Sequence, residues 1–586
     1  MTLHTLSRPF RRSGVLAVLL CFTLLFPTQA QDADDLPVVT RTVAITNAQV
    51  VTAPGEVMDR ATVLVRDGLI EAVGPDVAVP FDAREVAGDS LTVYAGFIDG
   101  LSHVGVDTPD LDTSEDVENP DDAPPARAGI HPDRPARRLL QPDAADVAKL
   151  REIGFTTAHV VPEGQMLPGQ GAVIQLAGAD ANAMLLNGTA SVFFQIKGAQ
   201  SSWPNVVAPS TDMAVIATMR DLMRETERRS AMSAAYADDP RGRQRPPTDP
   251  VHDALRPVIE GRLPVAAYAE DVLDLHRTLA LHQELDIPVL LTGLSESFRA
   301  VDALRDANAP LFLTLDLPEA PDEDAADDTT ATAESSPDSP GPSAPDVRVT
   351  THEDADAEEA ALKARQAEER AQYYRNAALL HEAGLRFGFT TKDVSSGDVR
   401  ANLRTLIEHG LTEDAALAAL TTDAAALLGL EDQLGTVAPG KIANLVLTDG
   451  NYFDPDTNVR HVMVDGHLFE IAAAGDEGEV TGTVSAVVGS WAYTIESPQG
   501  ELSGTLTFEE SGSGLAGTIS SPTGDDEEDL RSISFDGTSL SFSFDSGNVG
   551  EVDVNVSVDG SDFEGSVSTS QFGSFPITGS RTDPPE

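Results

Sequence analysis

Residues 263–293 read LPVAAYAEDVLDLHRTLALHQELDIPVLLTG, and the rhythm of this stretch decides the fold. Two short apolar runs, LPVAAYAE and IPVLLTG, enclose the helical segment DVLDLHRTLALHQEL. Two neighbouring strands joined through a helix run parallel, because a parallel pair needs a crossover of a dozen or more residues. The same alternation extends outward in both directions. FTTAHVVP (155–162) lies upstream; SFRAVDALRDAN (297–308), APLFLTLDLP (309–318), LRFGFTT (385–391) and VRANLRTLIEHG (399–410) lie downstream. About 340 residues of alternating strands and helices predict an α/β fold, a (β/α)8 TIM-like barrel over residues 96–436 that carries insertions.

Both flanks of the barrel have a different texture. TVAITNAQVVT (42–52), ATVLVRDGLIEAVG (61–74) and DSLTVYAG (89–96) are short alternating runs broken by Gly and Pro. LGTVAPGKIANLVLTDG (434–450) and VRHVMVDGHLFEI (459–471) repeat that pattern, with Asp-Gly turns at 449–450 and 465–466. Residues 38–95 and 437–472 are therefore expected to form one small β-sandwich domain. From 476 to 586, runs of five to eight alternating residues recur about every ten positions between Gly, Ser, Asn and Asp. They predict an all-β antiparallel domain of eight or nine strands, a meander or small barrel. Residues 316–359 contain fifteen acidic residues and one arginine, a composition that predicts a disordered insertion.

The chain of 586 residues has 39 basic and 95 acidic side chains, a net charge of −56. Such a field repels nucleic acid and anionic membrane surfaces, so the expected partner is a small-molecule substrate or ligand. Acid spread along the whole chain suits solubility in a salt-rich medium, where repulsion is screened. The N-terminal segment carries Arg8, Arg11 and Arg12, an apolar run from Val15 to Phe26, and Thr28-Gln29-Ala30. It reads as a signal peptide over residues 1–30, cleaved after Ala30, and places the mature protein in the periplasm or outside the cell. The run is too short to span a bilayer. Cys21 is the single cysteine, so the mature chain forms no disulfide and has no thiolate ligand.

The segments VLVRDGLIEAVG, AGFIDGLSH, GFTTAHVVPEGQMLPGQGAVIQL, LTEDAALAALTTDAAALLGLEDQLGTVAPGKIANLVL and VRHVMVDG occur in this order. Over residues 42–472 the chain thereby resembles the amidohydrolase superfamily, near its exported imidazolonepropionase-like group. The resemblance implies a β/α barrel in which a metal-activated water hydrolyses carbon–nitrogen bonds other than peptide bonds. It also implies ligands at the C-terminal ends of the barrel strands.

Compared with the family pattern, those positions have changed. The family's first strand ends Gly-Phe-Ile-Asp-x-His-x-His; here Gly96-Phe97-Ile98-Asp99-Gly100-Leu101-Ser102-His103 puts Leu101 at the first histidine and His103 at the second. Tyr268 stands at the next histidine, Gly293 or Leu294 at the following one, and Lys392 at the strand-end aspartate. Asp393 is one residue out of register, which reverses its face unless the strand end bulges. Lys197, imagined as a bridging carbamylated lysine, lacks partner ligands.

The candidates that remain are His103 and His159 as metal ligands and Asp393 as the catalytic residue, serving at most one divalent ion, zinc, and otherwise no cofactor. Asp99 reads as a structural hydrogen-bond partner, Glu163 and Gln170 as members of a Gly-rich loop, and Tyr373 and Tyr374 as one buried and one exposed helix residue. Two readings stay open: a diverged C–N hydrolase, and a catalytically silent barrel that binds a small molecule or partner at its mouth.

Overall fold

The computed structural model describes residues 41–109, 117, 119–120, 123–200, 206–318, 352–471 and, with short gaps, 487–582. The expected signal peptide and most of the acidic insertion lie outside the described residues.

Eight strands form the central sheet: β1 (Phe97–Ser102), β2 (Phe155–Val160), β3 (Gly169–Gln175), β4 (Leu185–Gln195), β5 (Val265–Tyr268), β6 (Val289–Leu294), β7 (Leu311–Thr314) and β8 (Gly388–Thr390). They pair in chain order from β1 to β8. Seven run parallel; β3 is antiparallel to both β2 and β4. The Gly-rich segment that looked like a loop is therefore partly strand, and Gln170 belongs to β3. Two hairpin steps replace two helical crossovers, which need many more residues.

The opening stretch folds as its pattern dictates. Asp271 caps the helix Val272–Leu285, its carboxylate accepting from the backbone N–H of Asp274 at 2.7 Å. Asp286, in the left-handed region, ends the helix and turns the chain into β6. Helix His352–Tyr374 begins inside the segment expected to be disordered, so residues 352–359 are helical.

β8 returns to β1 through the strand ends. The Lys392 N–H donates to Leu101 O at 3.2 Å, and Thr391 binds the Asp99 carboxylate. Ile98, Leu101, Val161, Val173, Phe193, Ala266, Leu290 and Phe312 fill the interior as one apolar cluster. The enclosure is a packed core rather than a pore. The ring of Phe312 is large enough that its neighbours must be glycines: a Cβ on Gly100 would lie 2.0 Å from the ring, and one on Gly388 would lie 2.3 Å away.

Both flanks join in one eight-stranded sheet. Thr42–Ala53 at its centre pairs with Glu56–Arg66 and Thr92–Ala95, and Leu445–Thr448 pairs with Thr92–Ala95 on one side and Val459–Val464 on the other. Among the described residues no helix is long and apolar enough to cross a membrane.

The C-terminal segment forms a nine-stranded antiparallel sheet whose first strand, Gly489–Ser497, pairs with its last, Gly573–Arg581. Its two edges are Glu527–Asp529 and Arg531–Phe535, separated in sequence by Leu530 alone. One chain segment thus forms both edges and brings the two ends of the sheet together, as in a small barrel. Alternate residues, Trp491, Tyr493, Leu506, Phe508, Phe542, Phe544, Val552, Val554 and Val556 among them, fill its interior.

Candidate functional site

The mouth of the β1–β8 barrel is built at strand ends, where side chains from distant sequence positions meet. Asp99 on β1 is fully buried. Its Oδ1 accepts from the Leu101 N–H at 3.2 Å and the Thr391 N–H at 3.0 Å, and its Oδ2 accepts from the Thr391 hydroxyl at 2.7 Å. Burial pushes the carboxyl up to about 6, against the pull of these hydrogen bonds. Asp99 joins the first and last strands; both of its oxygens are committed to that role.

Leu101 is fully buried in the apolar plug and presents nothing to the mouth. His103 follows at the lip. Its Nδ1 lies 2.8 Å from Val161 O. A carbonyl only accepts, so the proton sits on Nδ1 and Nε2 carries the lone pair. Burial holds the imidazole below its usual range; the positive charge of Lys392 acts in the same direction, while the bond to Val161, Glu163 and Asp393 oppose it.

His159 does not join His103 as a ligand. It is fully buried on β2, with Nδ1 3.0 Å from Gly100 O and Nε2 2.9 Å from Ser191 Oγ. Nδ1 donates to the carbonyl, the Ser191 hydroxyl donates to Nε2, and neither nitrogen is left for a metal. Burial lowers this imidazole to about 4, so it is neutral near pH 7. A Cβ on Gly171 of β3 would lie 2.6 Å from Nε2, so the neighbouring strand also closes that edge of the ring.

Asp393 reaches the mouth, though by a route other than a bulged strand. β8 ends at Thr390, and Asp393 takes φ +63°, a left-handed conformation that turns its side chain back. Its carboxylate pairs with the Lys392 ammonium and accepts from the Tyr268 hydroxyl at 3.4 Å. Lys392 is 9% exposed, and its Nζ sits 4.2 Å from the Tyr268 ring centroid, over the π face. Burial and the carboxylate of Asp393 raise the Tyr268 phenol well above its ordinary range, so it is a neutral donor and not a phenolate ligand.

Gly293 on β6 completes the arrangement. Its φ is +76°, and a Cβ there would lie 2.2 Å from Tyr268 Cε2. The Tyr268 ring thus fills the space a side chain at 293 would need. Tyr268, Gly293 or Leu294, and Lys392 stand where the resemblance implies ligands; in space Tyr268, Gly293 and Lys392 pack as one group, an aromatic ring in the space of a side chain at 293 with an internal cation on its face. Of the remaining candidates, Lys197 is exposed and outside this cluster. Tyr373 and Tyr374 are both half-buried and both donate, to Glu296 Oε1 and Pro318 O at 2.6 Å each, so neither is a free surface residue.

Tyr268 and Gly293 also border a cleft of about 510 Å3 between the ends of β5, β6 and β7. Its lining includes Tyr373, Thr314 and five carboxylates, Glu270, Asp271, Asp274, Glu296 and Asp316. Glu296 is spent on structure, with Oε2 accepting from the Val272 N–H and Oε1 from Tyr373.

A divalent metal does not suit these donors. Catalytic zinc needs about three converging nitrogen or carboxylate ligands. His103 offers one nitrogen, beside a fixed positive charge; His159 and Asp99 are fully engaged, and Asp393 is paired. Among the described residues no group of three or more His, Cys, Asp or Glu side chains could hold a metal ion.

A barrel of mostly parallel strands with a sheet drawn from both flanks has counterparts among solved amidohydrolase structures. The amidohydrolase family model matches residues 344–469. A crystal structure of an amidohydrolase from Thermotoga maritima is 19% identical, with a TM-score of 0.54, and covers 73% of this chain and 100% of its own. A prolidase complexed with N-methylphosphonate-L-proline is 16% identical, covering 74% and 100%, with a TM-score of 0.43. A putative prolidase from Bifidobacterium longum is 15% identical, covering 74% and 95%, with a TM-score of 0.41. The chain is thus similar to the amidohydrolase family in sequence over residues 344–469 and shares its fold with the Thermotoga maritima amidohydrolase.

Proposed function

We propose that this protein is a member of a hydrolase superfamily, that it works outside the cytoplasm as a small-molecule-binding barrel, and that it does not use metal-activated water. The observation that carries this reading is the Tyr268–Lys392–Asp393 cluster. It puts an ammonium group and its counter-ion where the family resemblance calls for a metal ligand. A cation brought to His103 would meet the buried Lys392, and displacing that lysine would break its contacts with Asp393 and the Tyr268 ring. The neighbouring cleft, large enough for a small molecule, supports a binding role. The leader-like first thirty residues support export, and the acid excess supports a salt-rich surrounding.

The test is metal content. The mature protein, supplied with zinc or manganese and then dialysed, is expected to retain well under one equivalent and to show no metal-dependent hydrolysis of cyclic amides or dipeptides. One equivalent of metal, lost in His103→Ala together with amide hydrolysis, would overturn this reading in favour of a one-metal C–N hydrolase.

A further inference from the structure

The chain contains 34 arginines and only five lysines: Lys149, Lys197, Lys363, Lys392 and Lys441. Four are exposed or half-exposed; Lys392 alone is buried, at the barrel mouth. A cation needed only for charge would be served here by arginine, as it is at most basic positions of this chain. What lysine adds is a primary amine that can become a nucleophile when placed in a low-dielectric pocket.

We infer that Lys392 is a covalent capture site for an aldehyde or ketone, which condenses with its ε-amine to an iminium. The inference rests on the metal-free reading of the mouth and names its ligand class. Three features of the geometry favour it. The Asp393 carboxylate, in contact with the ammonium, can take one proton and free the nitrogen lone pair. The amine then attacks the carbonyl carbon; a C–N bond forms as the C=O π bond breaks, and a second proton moves from nitrogen to oxygen to give the carbinolamine. Asp393 returns its proton to that hydroxyl, which leaves as water. Two of the three ammonium hydrogens end on the water, and the nitrogen keeps one hydrogen and its positive charge.

Because charge is conserved, the contacts that hold the ammonium also hold the product. The carboxylate of Asp393 and the face of Tyr268, 4.2 Å from Nζ, stabilise a planar iminium as they do the free lysine. The cleft is bordered by Tyr268, whose ring also contacts Lys392, and its five carboxylates disfavour the approach of anionic compounds. The ligand class is therefore a neutral or amino-bearing carbonyl compound, not a keto acid.

The experiment incubates the intact mature protein at pH 7 with hydroxyacetone and cyanoborohydride, then maps the reduced adduct by peptide mass spectrometry. Wild-type protein is expected to carry the adduct on the peptide containing Lys392 at least tenfold above Lys149, Lys197 or Lys363. Lys392→Arg, which keeps the charge, is expected to lose only that adduct. Pyruvate is expected to label Lys392 at least fivefold less than hydroxyacetone does. Labelling confined to the exposed lysines, or none at all, would overturn the inference, and equal labelling by pyruvate would overturn the ligand class. Metal content is measured on the same sample. Metal-free protein without adduct sinks the capture site alone, whereas bound metal without adduct sinks both readings.

Discussion

Tyr268 and Gly293 occupy each other's space: a Cβ on residue 293 would lie 2.2 Å from Tyr268 Cε2. Placing a histidine at 293 therefore requires removing the tyrosine as well. Gly293→Ala is expected to destabilise the fold by about 2–4 kcal/mol, combining overpacking with a side chain forced to φ +76°. Tyr268→Ala in the same chain should relieve the steric part and leave the backbone part. A double-mutant cycle read by denaturant unfolding checks this: additive effects would show that the ring and residue 293 do not compete.

Phe312 and its two glycines make the same kind of claim in the barrel interior. Phe312→Ala opens a cavity and is expected to cost about 3–5 kcal/mol. Gly388→Ala alone costs about 1–3 kcal/mol by crowding the ring. In the double variant the new methyl enters the cavity, so the combined loss should fall short of the sum. Chemical denaturation of the four proteins provides the measurement.

Thr391→Val removes the hydroxyl that donates to Asp99 at 2.7 Å. A donor to a carboxylate favours the ionised form, so its loss should push Asp99 above its value of about 6. The folded-state pKa is raised relative to the unfolded chain, and a raised carboxylate costs stability as pH rises through that value. The variant is accordingly expected to be less stable than wild type by about 1–3 kcal/mol at pH 8, with a smaller deficit at pH 5. Equal deficits at the two pH values would show that Asp99 does not respond to Thr391.

His159 gives the opposite slope. Its pKa is lowered to about 4 from an ordinary 6.5. The unfolded state therefore binds the extra proton between those values, and the stability His159 contributes is present above pH 6.5 and lost as pH falls through 4. A shift of this size corresponds to about 3 kcal/mol. The gap in melting temperature between wild type and His159→Asn should narrow steadily from pH 7 to pH 4. A gap that stays constant would mean that the imidazole titrates normally.

The charge excess leads to a prediction about salt. With a net charge of −56, self-repulsion is long-ranged at low ionic strength and is screened within about 3 Å at 1 M. The melting temperature should rise by several degrees between 0.05 and 2 M sodium chloride. The test uses chloride because sulfate would also strengthen apolar burial.

The barrel, the composite sheet and the C-terminal β-domain were legible because each announces itself by a local period: strand and helix in alternation, or strands at ten-residue spacing. The antiparallel β3 was hidden in GQGAVIQ, where Gly171, which read as a turn residue, instead makes room for His159 on the adjacent strand. The same difference in scale governs the site. Sequence comparison registered Tyr268, Gly293 and Lys392 as separate losses, because positions as far as 124 residues apart carry no trace of one another along the chain. Only their packing shows a compensated group. His159 failed as a ligand for a related reason: Gly100 and Ser191, which consume its two nitrogens, lie 59 and 32 residues away.

In the C-terminal barrel, strand Gly489–Ser497 lies beside strand Gly573–Arg581, and Thr582 bonds back to Ser490 O through both its N–H and its hydroxyl. Entry and exit of the module are therefore neighbours on its surface. A unit built this way can be spliced onto another polypeptide, or circularly permuted at one of its hairpins, without any strand having to change partners. It has the construction of a portable cassette, and among the described residues it shares no strand with the two sheets that precede it.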